Sequence, residues 1–196
     1  IAVPVLAGMG NGLMAQPMIR QLRVACPQAE VVVFARNASI AGVFDRLPDI
    51  SEVRIFGNEF QQFAALLRSL RLMRADLCVI PYPSNRWQYS LLAAASGARR
   101  TLLHGYGTGY YRAAHFLPAQ RIMAVDGVHD VLQNLRLLKA LGITADESQP
   151  PSFPLSEDDR QLVVATCDPT NVEAERALGF STGRTPLFQV APPRVI

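Results

Sequence analysis

The segment AVPVLAGMGNGLMAQPMIRQLRVACP, residues 2–27, contains the pattern that decides the fold. Its first six residues, 2–7, form an apolar run that is typical of a strand buried on both faces of a sheet. A glycine-rich turn follows at residues 8–12, and apolar residues then recur at helical spacing as far as Pro27. This order of strand, glycine turn and helix is the opening unit of a parallel α/β domain.

Strand and helix signals continue to alternate as far as residue 143. Apolar runs predict further strands, at residues 30–35, 52–56, 76–80 and 100–104. Apolar residues at helical spacing predict further helices, over residues 40–47, 60–73, 87–96 and 129–141. The sequence therefore predicts an α/β fold with a Rossmann-like parallel sheet that carries helices on both faces.

Composition narrows the class of protein. The chain has 196 residues, of which 49% are hydrophobic, and this is enough to bury the core of one α/β domain. No apolar run approaches the roughly 20 residues that cross a bilayer. The 19 lysines and arginines against 16 acidic residues leave a charge of +3, which is too small to indicate a nucleic-acid partner but suits an anionic substrate or a membrane surface.

The cysteines indicate neither a disulfide framework nor a metal site. Cys26, Cys78 and Cys167 lie far apart, with no CxxC pair and no cluster with histidine at metal-ligand spacing. We therefore expect no metal, no disulfide and a cytoplasmic location, because a reducing compartment keeps such cysteines free.

The composition changes after residue 143. Residues 144–154, TADESQPPSFP, are polar and rich in proline, which is typical of a linker. We interpret residues 1–143 as the Rossmann-like domain and residues 144–185 as a connecting segment. Residues 186–196 open with an apolar run and are interpreted as the start of a second domain.

The glycine-rich turn is the first candidate for ligand binding. Glycines at residues 8–12 leave backbone N–H groups accessible, and the helix amino terminus that follows favours an anion. Leu13 stands where a dinucleotide fingerprint requires its third glycine, and no acidic residue ends the second strand, which disfavours an NAD-dependent oxidoreductase. A plain tight turn is the alternative interpretation.

The loop after the fourth strand is the second candidate. Ser84, Asn85 and Arg86 offer a hydroxyl, an amide and a guanidinium at the carboxyl end of a strand, where the ligands of open α/β sheets bind. The alternative is a solvated helix start with Ser84 or Asn85 as its cap.

Basic and aromatic residues farther along the chain are the third candidate. Arg112, Arg121 and His129 lie in or after a tyrosine-rich stretch, a mixture that suits an acidic sugar. A surface loop and a locally bonded histidine are the alternatives. No histidine has a serine or cysteine partner at suitable spacing, so a nucleophilic triad is not indicated.

Three segments of the chain carry a resemblance to a known family. They are GMGNGLMAQPMIRQLRVACPQAEVVVFAR, residues 8–36, VIPYPSNRWQYSLLAAASGARR, residues 79–100, and VHDVLQNLRLLKALGI, residues 128–143. They resemble, in this order, the opening, the fourth-strand loop with the helix after it, and the long helix near the end of the first domain of the ADP-heptose:lipopolysaccharide heptosyltransferases of glycosyltransferase family 9. The order of the three segments is more specific than any one of them.

The resemblance implies the amino-terminal, acceptor-side half of a two-domain GT-B fold. It implies transfer of a sugar from an ADP-sugar donor, typically ADP-heptose, to the anionic inner core of lipopolysaccharide, without a metal or other cofactor. Peripheral contact with the inner membrane is a further expectation. The acceptor-binding residues that the resemblance and the loops indicate are Gly10, Gly12, Ser84, Asn85, Arg86, Arg112, Arg121 and His129.

The resemblance also implies a catalytic position. The family is expected to use an aspartate after the loop glycine as the base that takes the acceptor proton, and this sequence has Asn11 there. An amide can orient a hydroxyl but is a poor base. Asp126, His129 and Asp130 are the candidate substitutes.

The resemblance places a donor-binding domain after residues 186–193, and the 196 residues do not contain one. We therefore expect residues 186–196 to be the start of a truncated donor-binding domain, and we expect the chain alone to lack transfer activity. The alternative function is a non-catalytic Rossmann-like module that binds an anionic glycan or a nucleotide.

Overall fold

A computed structural model describes residues 1–57, 60–107, 113–151, 161–166 and 185–190 of the chain. The chain divides into two units, Ile1–Phe153 and Pro154–Ile196. The first unit contains a six-stranded sheet in which each neighbouring pair of strands is parallel. This confirms the predicted α/β class and parallel sheet.

The strands of the first unit are three to six residues long, and most are buried on both faces, as is typical of a parallel sheet. They are β1 (Ala2–Val5), β2 (Val32–Ala35), β3 (Glu52–Ile55), β4 (Leu77–Val79), β5 (Arg100–Gly105) and β6 (Gln120–Met123). The helices between and after them are α1 (Met9–Ala25), α2 (Ala38–Ala41), α3 (Phe60–Met73), α4 (Trp87–Ala95) and α5 (Asp130–Lys139).

Alternate residues of the buried strands enter two separate cores, because successive side chains point to opposite faces of a sheet. In β2, Val33 and Ala35 pack in the core shared with α1, α2 and α5. Val32 and Phe34 of the same strand pack in the core shared with α3 and α4. The predicted helices therefore cover both faces of the sheet.

The strand order β3-β2-β1-β4-β5-β6 reverses direction between β1 and β4. Connections from β1 lead outward on one side and connections from β4 lead outward on the other, so the loops at their carboxyl ends diverge and leave a crevice. This order is that of a Rossmann-like domain, and the crevice is where such domains bind ligands.

Three elements differ from the sequence prediction. The helix predicted over residues 40–47 is limited to Ala38–Ala41, where Asn37 caps it by accepting a hydrogen bond of 3.0 Å from Ile40 N–H. The last helix begins one residue later than predicted, since His129 is its N-cap and its Nδ1 accepts from Val131 N–H at 3.3 Å. Strand β6 is not predicted, because its burial is incomplete along its length.

The second unit contains two described strands, β7 (Gln161–Thr166) and β8 (Thr185–Val190), which pair in parallel. Strand β7 lies inside residues 144–185, for which the sequence predicts only a connection. Its apolar segment LVVA, residues 162–165, is only four residues long and lies between the polar segments SEDDR and CDPT, so the composition of this region as a whole does not indicate a strand. Strand β8 includes the apolar run predicted to begin at residue 186.

Candidate functional site

A groove opens at the carboxyl edge of the sheet, on the face covered by α3 and α4. Its volume is about 360 Å³, within the range of small-ligand sites. Leu6, Arg36 and Phe56 reach it directly after strands β1, β2 and β3. We call it the switch-point groove, and its lining residues are Leu6, Arg36, Phe56, Phe63, Arg86, Gln88 and Tyr89.

Two arginines give the switch-point groove a positive character. Among the described residues, Arg36 Nε and Gln88 Oε1 are buried without a hydrogen-bond partner. Burial raises the pKa of the Tyr89 phenol, and the charges of Arg86 and Arg36 oppose that rise, so both guanidinium groups act on the same point of the wall. Two cations beside an open cavity favour an anionic ligand, because a carboxylate or phosphate satisfies their N–H groups in pairs.

Arg36 is a functional candidate that the sequence reasoning missed. It follows the last residue of β2, and Gly57 N–H donates to its carbonyl at 2.9 Å, which fixes the loop after β2 beside the loop after β3. A basic residue directly after a buried strand was the signal available in the sequence.

The loop after β4 is held in place by a buried amide. Asn134 of α5 is fully buried, and its Oδ1 accepts a hydrogen bond of 2.8 Å from Tyr82 N–H. Its Nδ2 donates to Met14 O of α1 at 3.1 Å and to Asp130 O at 3.0 Å. One side chain therefore ties α1, α5 and the loop before Arg86 together.

Ser84 lies beneath this loop and not on its surface. Its side chain is buried, its hydroxyl accepts a hydrogen bond of 3.1 Å from His104 N–H, and its own N–H donates to Tyr106 Oη at 2.7 Å. Ser84 thus shapes the loop in this conformation, and its contact with an acceptor stays a prediction. Asn85 and Arg86 are exposed at the rim.

The glycine-rich turn forms the start of α1, on the other face of the sheet from the switch-point groove. Gly10 is exposed, and a Cβ there would meet nothing within 4 Å, so a ligand has room. Gly12 is buried, and a Cβ there would lie 3.2 Å from Phe44 Cε2, so this glycine permits close packing of α1 against Phe44. Asn11 is half-buried in the first turn of α1 and does not line the groove.

The remaining predicted residues do not gather at the groove. Arg121 lies in β6, where its Nη2 donates to Ser90 Oγ of α4 at 3.2 Å and its Nη1 to Ala119 O at 3.3 Å. It therefore joins a strand to a helix, and its contact with an acceptor stays a prediction. His129 is exposed at the start of α5, and Arg112 lies outside the described residues.

His104, beside Ser84, predicts a pH dependence of stability. Burial lowers the pKa of this imidazole to about 4, against 6.5 for an ordinary histidine, and the charge of Arg136 acts in the same direction. Between pH 6.5 and pH 4 the imidazole of His104 is therefore protonated in the unfolded chain and neutral in the folded chain. The free energy of unfolding falls as the pH falls through this window. We expect a loss of about 3 kcal/mol, measured by urea unfolding.

The variant His104→Asn has no imidazole to titrate, so we expect its stability to change much less over the same pH range. His129→Asn, which keeps an N-cap side chain, is the control and should retain the dependence of the parent protein. An unchanged slope in His104→Asn would contradict the assignment.

Within the described residues, no group of three or more histidine, cysteine, aspartate or glutamate side chains is arranged to hold a metal ion. None of the helices in the same part of the chain has the length and apolar character required to cross a bilayer.

Comparison with known proteins gives one family match and several structural matches. A family model described as the MshEN domain matches residues 152–196. This match falls on the second unit, for which the sequence predicts a linker and the start of a donor-binding domain. No protein of curated function matches the sequence.

Three solved structures share the fold. The glycosyl transferase family 9 from Veillonella parvula DSM 2008 is 14% identical with a TM-score of 0.65, and the match covers 95% of this chain and 61% of that chain. E. coli heptosyltransferase WaaC with ADP-2-deoxy-2-fluoro heptose is 12% identical with a TM-score of 0.64, covering 98% of this chain and 69% of that one. E. coli ADP-heptose lps heptosyltransferase II is 18% identical with a TM-score of 0.64, covering 95% and 63%.

The predicted resemblance to glycosyltransferase family 9 is thus confirmed for the fold. This chain spans 61% of the length of the Veillonella structure.

Proposed function

We propose that the first unit is the acceptor-side half of a glycosyltransferase that moves a sugar from an ADP-sugar, with ADP-heptose as the candidate donor, to the anionic inner core of lipopolysaccharide. The observation that supports this most directly is the switch-point groove with Arg36 and Arg86 in its wall. Titration of the chain with the oligosaccharide of deacylated lipopolysaccharide, followed by calorimetry, tests the binding step; absence of binding at millimolar concentration would refute the proposal.

Proton removal from the acceptor hydroxyl is the chemical requirement on this half of the enzyme. Asn11 can orient that hydroxyl through its amide, but it cannot take the proton. Asp130 is the substitute base that we favour. Its backbone carbonyl accepts a hydrogen bond from Asn134 Nδ2, and so does the backbone carbonyl of Met14, which lies one helical turn beyond Asn11. Asp130 is therefore close to the first turns of α1. The donor is proposed to bind a second lobe, as in a GT-B enzyme.

Asn11→Asp should preserve or raise the rate of sugar transfer in a form of the protein that carries a donor-binding lobe. The change keeps the size of the side chain and supplies a carboxylate able to accept the proton, and it adds a negative charge at a helix amino terminus, where it is stabilising. Transfer of labelled heptose from ADP-heptose to lipopolysaccharide measures the rate. A large loss would show that the amide has a role of its own.

A non-catalytic module that binds an anionic glycan is the second candidate function, and the amide at Asn11 is the observation that favours it. The two candidates share the ligand and differ in turnover. A form of the protein with a donor-binding lobe that binds the acceptor but transfers no sugar, both unmodified and as Asn11→Asp, would favour the module.

We also propose that the protein is cytoplasmic and contacts the inner membrane through α3. Arg68, Arg71 and Arg74 are exposed on or just after this helix, and none of them has a carboxylate within ion-pair distance in the described part of the chain. Leu72 lies among them with 74% of its surface exposed. Basic residues around an exposed apolar one suit an anionic lipid surface.

The triple variant Arg68→Gln, Arg71→Gln, Arg74→Gln should bind anionic vesicles more weakly by about 3 kcal/mol, since each basic residue near such a surface contributes about 1 kcal/mol. Co-sedimentation with vesicles of phosphatidylglycerol and phosphatidylethanolamine measures the binding. Lys139→Gln, an exposed cation on α5, is the control. Equal binding of the triple variant and the parent protein would exclude this surface.

A further inference from the structure

A second cavity of about 380 Å³ adjoins the switch-point groove. It is lined by Asn85, Arg86, Trp87 and Gln88. Arg86 and Gln88 also line the groove itself, so the two cavities share a wall. A ligand longer than one ring can therefore contact both cavities and Arg86, which lines each of them.

Trp87 is the unusual residue of this cavity. It stands at the first position of α4 with 48% of its surface exposed, although an indole gains more than most side chains from leaving water. A flat, exposed aromatic ring matches the apolar C–H face of a sugar ring. Asn85 and Gln88 line the same cavity, and the Asn85 amide is exposed and can donate to and accept from sugar hydroxyls.

The side chain of Arg86 is also available to a ligand. Arg86 is the N-cap residue of α4, but its side chain makes no capping hydrogen bond, and the residue is exposed at the rim shared by the two cavities. The shared wall thus offers a fixed positive charge, and the outer cavity offers an aromatic platform with amides beside it. This combination suits an acidic saccharide of at least two units.

We propose that Trp87 forms a second sugar subsite. The acidic sugar of the ligand occupies the switch-point groove against Arg36 and Arg86, and the next sugar unit lies on the Trp87 ring between Asn85 and Gln88. This rests on the proposed function in one respect, namely that the ligand is an anionic saccharide.

Fluorescence tests the subsite directly, because Trp87 is the only tryptophan of the 196 residues. The probes are the oligosaccharide of deacylated lipopolysaccharide and, as a single acidic sugar, D-glucuronic acid. We expect the oligosaccharide to protect the Trp87 emission from quenching by acrylamide and glucuronic acid to leave that quenching unchanged. Calorimetry of both probes with the full chain gives the affinities.

Trp87→Ala should weaken oligosaccharide binding about tenfold and leave glucuronic acid binding unchanged, since only the longer probe reaches the indole. Trp87→Phe should recover part of the loss. Val24→Ala, which truncates an exposed apolar residue on α1, is the matched control. If the oligosaccharide binds equally well to Trp87→Ala and gives no protection, the subsite is refuted while the proposed acceptor site stands. If neither probe binds the unmodified chain, both proposals fail.

Discussion

The double variant Arg36→Gln, Arg86→Gln is expected to bind an anionic saccharide at least 100-fold more weakly than the unmodified chain. Each guanidinium can make charge-assisted hydrogen bonds to a carboxylate or phosphate, and such bonds contribute about 1.5–3 kcal/mol each. Removing both therefore costs about 3 kcal/mol or more of binding free energy, which corresponds to the stated factor. Calorimetric titration with the deacylated lipopolysaccharide oligosaccharide is the measurement.

The matched control removes two cations elsewhere. Arg99 and Lys139 are both exposed, and Arg99 pairs with Asp76 at 3.3 Å, far along the strands from the groove. The double variant Arg99→Gln, Lys139→Gln has the same net charge as the groove variant, so long-range attraction is equal in the two proteins. Equal affinity of the two variants would show that the groove is not the anion site.

Asn134→Leu is expected to lower the free energy of unfolding by about 3 kcal/mol. Leucine has a similar volume, so the main loss is in hydrogen bonds: Tyr82 N–H is left without its acceptor, and the Met14 and Asp130 carbonyls each lose a donor. An unsatisfied buried donor costs about 1–3 kcal/mol, and each lost neutral bond about 1 kcal/mol. Urea unfolding followed by circular dichroism measures the change.

The control is Gln61→Leu, which also replaces an amide side chain with leucine, but at an exposed position on α3. Its free energy of unfolding is expected to change by less than about 0.5 kcal/mol. A stability of Asn134→Leu equal to that of the parent would mean that the buried amide does not hold the loop. Because Asn134→Leu removes the hydrogen bond that holds the loop before Arg86, the amide protons of that loop should also exchange faster in Asn134→Leu than in the parent protein.

The parts of the fold with strong apolar periodicity could be predicted from the sequence. Helix α3 has the predicted bounds, residues 60–73, because its apolar residues recur on one face and pack in the core with α4. Strand β6 could not be predicted, because it pairs with one neighbour only and its pattern of burial is intermediate at best. Its central Arg121 interrupts the apolar signal that identifies the other strands.

The candidate site could be predicted only in part. Arg86 was accessible to sequence reasoning because the loop that contains it concentrates polar groups after a strand. For Arg36 the only local signal was a basic residue after a buried strand, because its place beside Arg86 in one groove depends on the spatial order of β2, β1 and β4, which is not encoded in local spacing. Ser84 and Gly12 show the converse, since both are buried and residue type does not reveal that burial.

The assignment of helices to opposite faces has a consequence for the length of the ligand. Asn11 belongs to the helix layer of α1, whereas Arg36 and Arg86 open toward the layer of α3 and α4. A molecule that touches both must pass over the tip of β1, across the thickness of the sheet. The reacting hydroxyl beside Asn11 and the acidic group bound by Arg36 and Arg86 would then belong to different rings of one oligosaccharide. A single monosaccharide could contact only one of these two places at a time.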